Sequence, residues 1–273
     1  MTDPEQLAVL GGSAALVAKV LGPTAEYLGD ELQQWTQRRV TNVQRIFASA
    51  EKRLGDRIND SGTVPPRMLR EVLDEGSYWD DPLGAEYFGG LLAASRTNLA
   101  TDDRAATLAA LVGRLSTFQL RTHYVMYGHA HEFLAGTDID IRLGEERTKA
   151  RIFIPHSTWL VALGAGEDST ETDWNAVLQH SVFGLQREDL LSLEMSGNPE
   201  FLTKQLSRTV EAGGTIFALT LLGIELFCMA HGIDSPYESF MNPATAFSSD
   251  AEIPVMAGAQ LVSELPSAAE AAS

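Results

Sequence analysis

The chain has 273 residues, of which 20 are Lys or Arg and 37 Asp or Glu, giving a formal charge of −17, and it contains a single cysteine. That length can bury a substantial core without staples, and one thiol excludes an internal disulfide or a multi-cysteine metal site. The charge repels polyanions and so disfavours nucleic acid as a partner, while the N-terminal MTDPEQ lacks the basic segment of a secretory signal, making the cytoplasm the expected compartment.

The first apolar run, Leu7 to Gly22, is 16 residues long and broken by Gly11, Gly12 and Lys19. It is shorter than the ~20 residues a membrane-spanning helix needs. A helix packed on the core is the main expectation, and a peripheral membrane contact through residues 7–22 stays open. Gly22-Pro23 then stops one helix and starts another. Leu28, Leu32, Trp35, Val40, Val43, Phe47, Ala50 and Leu54 recur mostly at spacings of three or four, which predicts a long amphipathic helix. Arg38, Arg39, Arg45, Lys52, Arg53 and Arg57 decorate its other faces, as a solvated surface or as a nucleic-acid contact. The helix also has a length suited to an intermolecular bundle.

After the turn-rich NDSGTVPP (59–66), Pro66 opens a short helix presenting Met68, Leu69, Val72 and Leu73. Asp80 or Asp81 caps the next helix, with Pro82 in its first turn, and Gly89 and Gly90 inside it predict a close helix crossing. Asp102-Asp103 caps a helix carrying Leu108, Leu111, Val112 and Leu115. Ser116 with Gln119 forms a capping-box pattern that starts another, through Tyr124, Tyr127 and Phe133.

The period then changes. DIDIRLG (138–144) and ARIFIP (150–155) alternate like two strands and predict a hairpin. Helical spacing returns at 156–163 and at 173–183, where Gly184 is expected to end the helix. LLSLEM and GTIFALT are strand-like on either side of a polar, helix-compatible segment (196–213). In the run Thr215 to Ile233 the period switches at Thr220, and with Glu225 near its middle this argues for a strand feeding a helix rather than a membrane span.

Charge divides the chain as well. Residues 1–151 carry a net −4, while 152–273 carry −13 with only Arg187, Lys204 and Arg208 as cations. The expected organisation is a helical domain over 1–135, a smaller module with the hairpin over 136–235, and a flexible acidic tail over 236–273.

Candidate chemistry is sparse. His123, His129 and His131 lie beside Glu132, but on one helix His129 and His131 are about 200° apart, and His123 and His131 are ~12 Å apart along the axis. Chelation would require the helix to end near Gly128. Cys228 sits between Phe227 and Met229, where an apolar setting raises a thiol pKa. There is no GxSxG elbow and no phosphate-binding loop. No catalytic, cofactor-binding or metal residue is assigned, although sites assembled from distant loops leave no linear motif.

The segments LGPTAEYLGDEL (21–32), VPPRMLREVLDEGSYWDDPLGAEYFGGLLAAS (64–95), LAALVGRLSTFQLRTHYVMY (108–127) and LTLLG (219–223) together resemble the Abi-alpha, or abortive infection alpha, family of bacterial proteins. The resemblance implies a mainly α chain, with a helical N-terminal region and a C-terminal winged-helix-like α/β module. It also implies a role in phage defence and brings no established reaction. The resulting expectation is a non-enzymatic antiviral-defence protein acting through protein contacts or self-association as a homo-oligomer, or by sensing a phage component. Two alternatives are a nucleic-acid-associated regulator using the cations of 38–57 and a membrane-perturbing effector using 7–22. In a winged helix the segment 173–183 would be the recognition helix, yet it holds no Lys or Arg, and phosphate binding without cations is weak.

Overall fold

A computed structural model describes residues 24–99, 101–164, 173–251 and 258–268, with the backbone alone for 24–36. The run 7–22 and the Gly22-Pro23 break lie outside these residues. The fold is mainly helical, with a small four-stranded antiparallel sheet.

The long helix α1 spans Thr24–Leu54 and a 3-10 turn follows it. Its buried side differs from the expected stripe. Asn42, Ile46 and Ala50 are buried, whereas Val40 and Phe47 are exposed. Helix α2 (Pro66–Asp74) buries Met68 and Val72, and Leu69 and Leu73 stay exposed. Helix α3 (Pro82–Ala94) begins where the sequence predicts, with Asp81 Oδ1 accepting the Leu83 amide at 2.9 Å and Pro82 in the first turn.

α3 is the axle of the fold, buried along nearly its whole length. Its two glycines explain both this and the orientation of α1. A Cβ at Gly89 would lie 2.8 Å from the Ile46 carbonyl oxygen of α1, and one at Gly90 would collide with the Ala230 carbonyl of a helix on the other side. Backbones approach this closely only where side chains are missing, and the approach pulls the Ile46 side of α1 inward. Which apolar face of α1 is buried is therefore decided by its partner.

Helix α4 (Arg104–Gly113) buries Leu108, Leu111 and Val112. Helix α5 (Thr117–Leu134) starts in the predicted capping box: Ser116 Oγ accepts the Gln119 amide at 3.3 Å, and Gln119 Oε1 accepts the Ser116 amide at 2.8 Å.

The predicted hairpin is absent. Residues 138–143 form turns before the one-turn helix α6 (Gly144–Arg147), because Asp140 Oδ1 accepts both the amide and Nε of Arg142, at 3.1 and 2.9 Å. Such local Asp bonds compete with a strand ladder. ARIFIP does supply strand β1 (Ile152–Pro155), followed by α7 (His156–Ala162), α8 (Trp174–Arg187), β2 (Ser192–Gly197) and α9 (Pro199–Leu206). Then come β3 (Gly214–Ala218), α10 (Leu221–Ala230), α11 (Pro236–Met241) and β4 (Gln260–Leu261). Gly184 does not end α8. It lets the helix pack directly on Gln119 of α5.

The sheet order is β2-β3-β1-β4, with β1 paired to β3 rather than to 138–144, Ile152 opposite Phe217 and Ile154 opposite Thr215. One face of β1 and β3, with Ile152, Ile154 and Phe217, joins the main core. The other, with Phe153 and Ile216, closes a satellite cluster with Leu202, Val210, Val262 and Leu265. The period change at Thr220 is real: Thr220 Oγ1 accepts the Gly223 amide at 3.0 Å and caps α10.

The main core runs from Ile46 to Phe240 and crosses the expected boundary at 135/136 without interruption. The C-terminal region is likewise not a free tail over 236–251 and 258–268. Phe240 is fully buried, Phe247 sits 4.8 Å from the Phe227 ring, and β4 pairs with β1. The aromatic residues of SPYESFMNPATAF supply the apolar burial that the acidic composition concealed.

Candidate functional site

The residues singled out for chemistry are dispersed and engaged. His123 is completely buried, with Nδ1 2.8 Å from the Tyr87 hydroxyl and Nε2 3.1 Å from the Gly223 carbonyl oxygen. A carbonyl can only accept, so Nε2 carries the proton and Tyr87 donates to Nδ1. The neutral ring ties α3, α5 and α10 together, and burial pushes its pKa down to about 3. His129 Nδ1 contacts Glu132 at 3.0 Å, while His131 turns its two nitrogens to the carbonyls of Phe240 and Thr245, at 2.7 and 3.1 Å. The three histidines thus serve three separate places, and among the described residues no group of three or more His, Cys, Asp or Glu could hold a metal ion.

Cys228 is buried in α10 with Sγ 3.3 Å from the Pro236 carbonyl oxygen, and desolvation pushes its thiol pKa well up. A thiol held protonated is a poor nucleophile. Ser196 Oγ lies 3.0 Å from His156 Nε2 and 3.1 Å from Thr215 Oγ1, a polar chain that links β2 and β3 to the start of α7. No local pattern signals this contact, since 40 residues separate the pair.

Most of the cations of 38–57 are also engaged. Arg39 donates to the Leu73 carbonyl at 3.0 Å and its guanidinium lies 4.4 Å from the Tyr78 ring centre. Lys52 pairs with Asp250, Arg53 reaches Glu86 and the Ser248 carbonyl, and Arg57 donates to the Gly232 carbonyl at 2.9 Å. This row acts as an internal clamp on the C-terminal segment. In the acidic half, Arg187 contacts Glu188 at 3.5 Å and Arg208 donates to the Leu265 carbonyl at 2.8 Å. Cations already paired have less to give a phosphate backbone.

One of the spaces the fold leaves unfilled is apolar. Between α1, the turn after it and α2 runs a groove of about 880 Å³ walled by Val43, Phe47, Leu54, Ile58, Val64 and Leu69. Phe47, Ile58 and Leu69 are 45%, 44% and 40% exposed, so the groove floor is solvated hydrocarbon. Val40 and Leu73, both exposed, extend the patch along α1 and α2. Exposed apolar surface of this continuity marks an interaction site more often than a free surface. Periodicity marks Val43, Phe47, Leu54 and Leu69 as belonging to apolar helix faces, but it reports that a face is apolar and not what covers it.

No helix among the described residues is long and apolar enough to cross a membrane. Compared with known proteins, the chain matches no family model, no curated protein and no solved structure.

Proposed function

We propose that the protein works by protein contact through the α1–α2 groove, as a bacterial phage-defence protein of the abortive-infection type that performs no chemistry of its own. The observation carrying the contact reading is the solvated groove, three of whose large apolar residues are about half exposed. The defence role rests on the resemblance of residues 21–32, 64–95, 108–127 and 219–223 to the Abi-alpha family. A cytoplasmic setting belongs to the same proposal. So does a winged-helix-like character for the C-terminal half, which draws support from α8 leading into β2 and from the pairing of β2 with β3.

The clamped cations of α1 weigh against the nucleic-acid alternative, and the membrane alternative rests on residues 7–22, outside the described structure. The test is expression in a phage-sensitive bacterium challenged with a phage panel. A fall in plating efficiency of at least about tenfold is expected, abolished by Phe47→Glu at unchanged protein level, a substitution at an exposed position that leaves the core untouched. Failure to restrict any phage removes the defence role. Restriction unaffected by Phe47→Glu removes the groove from it.

A further inference from the structure

We infer that a pocket between α1 and the turn ahead of α3 is a binding site for a sugar phosphate, in which Arg38 and Arg45 take the phosphate and Asp80 a sugar hydroxyl. The site goes beyond the protein-contact reading, and it shares no lining residue with the α1–α2 groove.

The pocket encloses about 390 Å³ and is lined by Gln37, Arg38, Thr41, Asn42, Arg45 and Asp80. That volume lies within the range of small-molecule sites. Positions 38, 41 and 45 follow one another at three and four residues, so they share one face of the helix.

A buried amide builds the floor. Asn42 is only 3% exposed, and a buried amide costs free energy unless its hydrogen bonds are made. Its Nδ2 donates to the Ser77 carbonyl at 3.1 Å and to Asp80 Oδ1 at 2.9 Å. Turning the amide over would set its oxygen against two acceptors, so the orientation is fixed. Its Oδ1 then faces Arg45 Nη1 at 3.5 Å. Arg39 Nε donates to Ser77 Oγ at 2.9 Å and ties the same turn to α1. The wall is in place before a ligand arrives, which lowers the ordering cost of binding.

Charge supplies the second argument. Acidic residues outnumber basic ones by 37 to 20, and Lys52, Arg53, Arg67 and Arg70 each reach a carboxylate. Among the described residues, Arg38 and Arg45 reach none, although both line the pocket. Two turns separate them, about 10.5 Å along the axis, a gap that two extended side chains leaning together can close around one anion. Guanidinium forks match phosphate oxygens in pairs.

Between the arginines the pocket presents acceptors. Thr41 spends its proton on the Gln37 carbonyl at 3.1 Å and keeps its lone pairs. Asp80 has spent only Oδ1, on Asn42. A bare anion would leave the carboxylate unserved and repelled. A ligand with an anionic group at one end and hydroxyl donors at the other satisfies both halves. Among the described residues, no aromatic side chain lines the pocket to stack a nucleobase, which favours a sugar over a nucleotide.

The experiment is titration calorimetry on the full chain with glucose 6-phosphate, ribose 5-phosphate, inorganic phosphate and glucose. A sugar phosphate is expected to bind with a submillimolar Kd, inorganic phosphate at least about tenfold more weakly, and glucose not measurably. Combining Arg38→Gln with Arg45→Gln should weaken the sugar phosphate by about a hundredfold. Asp80→Asn should weaken the sugar phosphate and leave inorganic phosphate as tight or tighter, since one like charge is gone. The amide it introduces still accepts from Asn42, so melting temperature and circular dichroism hold. No binding of either sugar phosphate at about 10 mM overturns the site. Binding unchanged in the double arginine variant overturns its placement here. Equal affinity for inorganic phosphate, or indifference to Asp80→Asn, overturns the sugar half of the assignment.

Discussion

Two sides of the same helix, α1, show how differently apolar residues are used in this molecule. On one side Ile46 meets α3 at Gly89 with backbones almost touching. On the other, Phe47 lines a solvated groove. The residues are equally hydrophobic, one position apart in the chain. What separates them is whether the facing element gave up its side chains to come close, so burial is a property of the pair and not of the sequence stripe.

The largest test of this contrast is Gly90→Val. Its Cβ would collide with the Ala230 backbone, which cannot rotate away. A loss of about 3 kcal/mol or more in urea unfolding is expected, at the top of the usual overpacking range. A near-neutral result would mean that the crossing of α3 and α10 is looser than described.

Next comes acid. His123 and His231 are both buried, chiefly desolvation holds each pKa near 3, and Arg53 lowers that of His231 further. In the unfolded chain each takes up a proton near pH 6.5. The unfolded state therefore binds more protons between about pH 6.5 and 3. The stabilisation is complete above 6.5 and is lost as pH falls through that window, with a slope of up to about 2.7 kcal/mol per pH unit for two protons. His231→Phe should reduce the histidine contribution to that slope to one proton. An unchanged slope would remove His231 from the account.

Tyr87→Phe deletes the donor to His123 Nδ1 and leaves a buried ring nitrogen without its partner. A loss of about 1–3 kcal/mol is expected, measured in the same urea series.

At the small end, Phe47→Glu and Leu69→Ser change solvated positions and should move stability by no more than about 0.5 kcal/mol. A large destabilisation at either residue would show that the groove wall is part of the core after all.

Much of the fold was legible because its signals are local. Asp81-Pro82, Ser116 with Gln119, and Thr220 start helices through bonds made within three residues, and Ile152 and Ile154 alternate with Phe153 across the faces of β1. What was not legible depends on distant partners. The burial of Ile46 in place of Phe47 depends on a glycine 43 positions later. DIDIRLG lost its strand to one Asp–Arg bond, and the acidic C-terminal stretch was fixed by Phe240 and Phe247, which composition averages away. The groove was the hardest to foresee, since its residues carry the same pattern as a core.

The clamp of α1 cations on the C-terminal segment also has a consequence during synthesis. Arg53 and its acceptor Ser248 are 195 residues apart, so at roughly 5–20 residues per second the ribosome makes the helix about 10–40 s before its anchor exists. Through that interval Lys52, Arg53 and Arg57 await Asp250, Ser248 and Gly232. A product truncated before Gly232 carries Lys52, Arg53 and Arg57 without these three anchors, which sets incomplete chains apart from finished ones by the charge left unpaired along one helix.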